Sequence, residues 1–133
     1  MIEARLRAAL IQWLAGDPTV DDELNAIEEE APVTATAPWL GIAASASTDW
    51  STKTHSGREI RIALELTTRG DRTAGDAALL TSISQRIENL PAAQPDFAVA
   101  GIQFLRARTE RRARNMRSTL LEYRFRTLSH PAA

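Results

Sequence analysis

The chain has 133 residues, no cysteine and a formal net charge of −1, which fits one domain burying roughly two-thirds of its unfolded surface without staples. The absent cysteines exclude disulfides, thiolate metal sites and cysteine nucleophiles, and the near-neutral balance excludes a domain that is basic as a whole. No apolar run approaches the roughly 20 residues of a bilayer helix, and Met1-Ile2-Glu3-Ala4-Arg5 does not open a secretory signal, so a soluble protein made in a reducing cytoplasm is expected.

Charge is nevertheless segregated along the chain. Asp17, Asp21, Asp22, Glu23, Glu28, Glu29 and Glu30 form an acidic stretch without a single Lys or Arg. From Arg106 to Arg126 there are eight arginines and only Glu110 and Glu122. Lys53 is the one lysine among sixteen basic residues. High arginine usage also fits a GC-rich genome, but that does not explain the separation of sign. Arginine's forked hydrogen bonding suits interfaces.

In chain order, Ile2, Leu6, Ala9, Leu10 and Trp13 have helical spacing, predicting an amphipathic helix over residues 2 to 15 with Trp13 in the core. Gly16-Asp17-Pro18 ends it, with glycine suited to the C′ position. Val20, Leu24 and Ile27 predict a short helical turn from Val20 to Ala26, with Thr19 and Asp22 as a capping box. The three glutamates that follow also fit an exposed edge or loop. Val33 to Pro38 reads as an extended linker.

Trp39 to Ser47 is predicted as the first main strand, Leu40, Ile42, Ala44 and Ala46 alternating with Trp39, Gly41, Ala43 and Ser45. Its small residues suggest close approach by another element. A polar loop built on Trp50 and Lys53 follows, and Ser56-Gly57 marks a turn through a positive φ. Ile60, Ile62, Leu64 and Leu66 then alternate with Glu59, Arg61, Ala63, Glu65 and Thr67, a strand with one wet face.

Thr73 with Asp76 forms a second capping-box candidate. Leu79, Leu80, Ile83, Ile87 and Leu90 predict a helix from about residue 74 to Asn89, ended by Pro91. Phe97 to Thr109 and Arg117 to Leu128 read as two antiparallel strands around a basic turn from Glu110 to Met116. In the first, Ile102 and Phe104 share a face opposite Val99 and Leu105. Ser129 to Ala133 is a tail. The order helix-strand-strand-helix-strand-strand predicts an α+β fold: a mainly antiparallel four-stranded sheet with two helices on one face.

Chemistry-bearing patterns are sparse. His55 and His130 lack a second ligand at metal spacing. There is no Gly-x-Ser-x-Gly turn and no phosphate-binding glycine loop. Asp49 and Glu59 flank the Trp50 loop and could pair as acid and base, but the sequence supplies no apolar pocket to shift either. Arg106, Arg108, Arg111, Arg112, Arg114 and Arg117 could contact phosphates, although the hairpin lacks aromatics for base stacking. Three readings of these arginines stay open: a solvated sheet face, a protein interface, or a nucleic-acid site.

Asp49-Trp50-Ser51-Thr52-Lys53-Thr54, then Gly57-Arg58-Glu59 and an alternating strand, resembles the small tail-completion or tail-terminator proteins of long-tailed phages, prophages and phage-like gene transfer agents. Pro38-Trp39-Leu40-Gly41 looks like that family's proline-aromatic strand entry, and Tyr123-Arg124-Phe125-Arg126 like its closing strand. The acidic Asp17 to Glu30 region is less strand-like than the family pattern. The resemblance implies a structural role without catalysis or cofactor. It implies a ring, usually hexameric, that ends tube growth at the head-proximal end of the tail. Its partners would be copies of itself, the tail tube protein and the head-side connector, with DNA only in transit through the channel and no membrane contact. Assembly would occur in the bacterial cytoplasm and the product would sit at the head–tail junction. A ring needs two different, complementary patches on each subunit. Asp21, Asp22, Glu28 and Glu29 could meet Arg106, Arg108, Arg111, Arg112 and Arg114 of a neighbour. An exposed Trp50, with Lys53 and Arg58, is a candidate for docking on tube or connector, the alternative being that Trp50 packs over the sheet edge and fixes the loop. Another head–tail neck component, a small nucleic-acid-binding domain using the arginine hairpin, and, weakest, a hydrolase are the alternatives.

Overall fold

In the computed structural model, residues 1–30, 35–71 and 73–130 are described; the start of the expected linker from Val33 to Pro38, residue 72 and the end of the C-terminal tail lie outside them. Helices α1 (Ile2–Ala15), α2 (Pro18–Glu23) and α3 (Thr73–Glu88) accompany strands β1 (Ala26–Ile27), β2 (Trp39–Asp49), β3 (Gly57–Arg69), β4 (Phe97–Arg112) and β5 (Met116–Ser129). The sheet order is β1-β2-β3-β5-β4. All pairings are antiparallel except β1 with β2. The fold is thus α+β as expected, but with five strands and three helices rather than four and two.

Both additions come from the acidic stretch. Asp17, not Thr19, caps α2: its carboxylate accepts from the Thr19 N–H at 3.1 Å, and Pro18 occupies the first turn, where no N–H is needed. Two residues after α2, the chain turns extended instead of continuing the helical turn to Ala26. Ala26 pairs with Trp39 and Ile27 with Leu40. Asn25 and Glu28 donate to Pro38 and Leu40 carbonyls, and the Glu29 carbonyl accepts from Ile42. Two residues carry too little alternation to register as a strand; the neighbour's backbone makes them one.

The core lies between the sheet and the helices. Ile60, Ile62, Leu64 and Leu66 of β3, with Leu121, Tyr123 and Phe125 of β5, face Leu6, Leu10 and Leu14 of α1 and Leu79, Ile83 and Ile87 of α3, and all are buried. Trp13 is half-buried at the margin of this cluster.

Three bulges break the simple alternation read from the sequence. Around Ala43 the phase of β2 changes, so that Ser45 and Ser47, not Ala44 and Ala46, face inward opposite Ile62 and Ile60. The inward serines receive α1: Ser45 donates to Glu3 at 2.9 Å and accepts from Arg7 at 3.0 Å. Around Ala100 the phase of β4 changes, placing Val99 on the same face as Ile102 and Phe104. Leu105 occupies a further bulge, beyond which Arg106 faces outward beside Glu122.

The glycines act by closeness rather than by handedness, for none among the described residues has a positive φ. A Cβ on Gly57 would lie 2.4 Å from the Trp50 carbonyl oxygen and 2.7 Å from that of Thr127. Gly16 ends α1 in right-handed conformation. Arg114 (φ 62°) and Asn115 (φ 57°) carry the left-handed backbone instead. They are the two central residues of the β4–β5 turn, which is therefore much tighter than the expected span from Glu110 to Met116.

Candidate assembly interface

The two charged regions lie toward the two free edges of the sheet: Glu28, Glu29 and Glu30 follow β1, Asp21 and Asp22 are on the α2 helix that precedes it, and the arginines are on β4 and its turn. Ala26, Trp39, Thr67, Ser118 and Glu110 form one cross-sheet row. β1, which Glu28 directly follows, and the basic end of β4 therefore lie at about the same level on opposite edges, roughly 20 Å apart at the usual strand spacing. They are too far apart to pair within one chain.

The arginines of the hairpin divide into two groups. Arg106 holds Glu122 at 2.6 Å through a forked contact, which raises the Arg106 pKa and lowers that of Glu122. Arg108 pairs with Glu110, and Arg112 lies 3.6 Å from Glu65 and Glu110. Arg117 is internal rather than available to phosphate: it binds Asp76 at 3.1 Å and the Gly70 carbonyl, while Thr68 donates to the same carboxylate at 2.7 Å. Asp76 thus ties α3 to the sheet; the side chain of Thr73, its supposed capping partner, lies outside the described residues. Arg111 and Arg114 are exposed and have no carboxylate within ion-pair range among the described residues.

The acidic edge divides likewise. Glu29 lies 3.5 Å from Arg7. Asp21, Asp22 and Glu28 are exposed with no basic partner among the described residues. Sequence proximity alone could not separate paired from unpaired charges; the cross-strand register does.

The loop from Trp50 to Arg58 caps the opposite end of the sheet. Its backbone is fixed by its own side chains: Ser51 accepts from the Gly57 N–H, and Thr52 accepts from those of Thr54 and His55. Trp50 is half-buried rather than exposed, with the Arg126 guanidinium 5.4 Å from its ring centroid. Lys53 and Arg58 are exposed beside it. Phe104 was not singled out by the sequence. It lies on the free β4 edge, stacks edge-on against Tyr123 at 5.5 Å, and remains 45% exposed. An exposed aromatic in a strand looks like any other apolar position until the sheet order shows that nothing covers it.

No catalytic constellation emerges from these groups. Glu59 is held by Arg124 and Arg126, and Asp49 by Ser51, so the two do not act as an acid–base pair. His55 contacts Thr54 and His130 contacts the Gln94 carbonyl, both at the surface. Among the described residues no three acidic or histidine side chains converge as a metal site, and no helix is long and apolar enough to cross a membrane. A shallow groove of about 480 Å³ on the outer sheet face is floored by Ala44, Ala46 and Ala63, and its one carboxylate, Glu122, is already bound to Arg106.

Among the described residues, exposed charge without a partner stands toward both edges, in Asp21, Asp22, Glu28, Arg111 and Arg114, and also in the end loop at Lys53 and Arg58, surfaces of the kind an assembly protein needs. The model of the family described as tail completion protein gp17 matches residues 8–128, and the chain belongs to that family. It is a structural protein of phage-type tails, not an enzyme. Among solved structures, a chain from the virion of a native gene transfer agent particle is similar in fold, with a TM-score of 0.75 at 22% identity, over 94% of this chain and 95% of that one. No curated protein matches.

Proposed function

We propose that this protein closes into a ring, hexameric by its resemblance to tail terminators, on the head-proximal end of the tail tube. The ring stops tube polymerisation, receives the head-side connector, and leaves a channel for DNA. The observation that carries the ring reading is the placement of unpaired acids and unpaired arginines toward opposite edges of one sheet. A patch on one edge that complements a patch on the other generates a head-to-tail contact, and such contacts close into rings. The fixed loop bearing Trp50, Lys53 and Arg58 lies at the far end of β3 from the hairpin tip. That position suits docking on a tube or connector, because a ring between two partners needs contacts at both of its ends. The nucleic-acid reading loses support, since Arg106, Arg108, Arg112 and Arg117 are already bound to carboxylates.

The test is tube growth in vitro. Purified tail tube protein polymerised with this protein should give short tubes that carry an added ring at one end. Tubes that elongate without change and bear no added density would refute the proposal. Trp50→Ala in a folded chain should still give rings, with weaker capping.

A further inference from the structure

Beyond charge, the β4 edge carries an apolar group that the fold leaves uncovered. β4 is a 16-residue edge strand. Edge strands attract other strands unless something interrupts them. Here the bulges at Ala100 and Leu105 interrupt the first part of the strand, while Arg106 to Arg112 run without a bulge, so that both side chains and a stretch of free backbone are available to a partner. Phe104 is one of two large apolar residues exposed among the described residues, Met1 being the other. Further along the same strand stand Arg111 and, in the turn, Arg114.

We infer that the β4 edge from Phe104 to Arg114 receives the Asp21–Glu28 edge of a second copy of this chain, with Phe104 as the apolar anchor and Arg111 and Arg114 as the charge partners. This rests on the ring reading above and names its contact. The occupant is a second copy because this chain itself carries the complementary charge, unpaired: Glu28 follows β1 at about the level of the Arg108–Arg111 stretch of β4, and Asp21 and Asp22 are exposed on the preceding α2. A two-fold contact of β4 with β4 would leave those acids unmatched. A partly covered aromatic is a usual energetic centre in an interface, and Arg111 extends the contact along the same strand and Arg114 into the hairpin turn. The arginines set register and exclude the reversed orientation.

The absence of native cysteine makes cross-linking clean. Full-length Glu28→Cys and Arg111→Cys proteins, mixed at tube ends and treated with a short bis-maleimide, should link to each other and neither to itself. Both substitutions in one chain should give a ladder ending in a closed ring. Arg111→Glu should keep the parent's unfolding midpoint while weakening self-association about tenfold or more, roughly 1.4 kcal/mol per decade; Phe104→Ser, which also loses its contact with Tyr123, should weaken self-association by at least as much at temperatures where it stays folded. Self-linking of Arg111→Cys, its linking to tube protein instead, or no product between copies would overturn the inference. A ladder without any effect on tubes would leave this contact standing and refute the tail role. Capped tubes without the ladder would do the reverse.

Discussion

Trp13 and Arg86 grip each other from two helices. The indole N–H donates to the Arg86 carbonyl at 2.7 Å, the guanidinium Nε donates to the Trp13 carbonyl at 2.8 Å, and the guanidinium lies 3.3 Å from the ring centroid. The contact joins the last turns of α1 and α3, and the Arg86 carbonyl, which also accepts from the Asn89 N–H at 3.2 Å, takes the indole as a second donor. Each of the two hydrogen bonds is worth about 1 kcal/mol and the stacking a similar amount. Arg86→Ala should therefore lower stability by about 2 kcal/mol in urea unfolding. Arg86→Lys should recover little of it, because an ammonium cannot both stack and donate along the same line.

Arg114 occupies a left-handed position that costs a side-chain-bearing residue about 1 kcal/mol. Arg114→Gly should raise stability by about that amount in equilibrium unfolding, despite glycine's looser unfolded chain. The same variant should assemble less well if the guanidinium serves a neighbouring copy. Better folding with poorer assembly is the expected pair of results.

Gly57 sits where two backbone carbonyls approach too closely for a methyl group. Both obstacles are main chain and cannot rotate away. Gly57→Ala should cost about 3 kcal/mol, in the range of severe backbone or packing errors, and should loosen the Trp50 loop. Hydrogen exchange at the Trp50 and Ser129 amides, which bond to the Gly57 and Ser56 carbonyls, would report it.

Glu3 should make folding acid-sensitive. Hydrogen bonds from Ser47 and Ser45, with the charge of Arg7, hold its carboxyl below the usual carboxylate range. A group depressed in the folded state adds stability that is complete above its unfolded pKa, about 4.3. That stability disappears as pH falls through the lower folded value. Glu3→Gln should flatten this part of the stability–pH curve and leave the curve above pH 6 parallel to the parent's.

Tyr123 is wholly buried and its hydroxyl has no hydrogen-bond partner of normal geometry among the described residues, with Ser84 the polar side chain facing it. Burial pushes its pKa up. An unpaired buried hydroxyl is costly. Tyr123→Phe should be neutral or stabilising by up to about 1 kcal/mol, measured by thermal or urea unfolding.

The elements that keep one period throughout were legible in the sequence: α1 through Leu6 and Leu10, β3 through Ile60 to Leu66, α3 through Leu79 to Ile87. The misreadings fall where a single residue changes the phase or a neighbour supplies the structure. A bulge at Ala43 or Ala100 inverts every inside–outside assignment beyond it, and no local composition announces it. The β1 strand exists through its bonds to β2. The Trp50-Ser51-Thr52-Lys53-Thr54 run led to the family through resemblance, while the division of Arg106, Arg108 and Arg112 from Arg111 and Arg114 required the cross-strand register.

The most direct measurement is an image of the intact particle with this protein labelled. A closed ring of label at the junction between tail tube and head connector is expected, and tails from cells lacking the protein should be overlong and headless. Label spread along the tube or absent from the particle, with tails of normal length joined to heads in its absence, would contradict the proposed role.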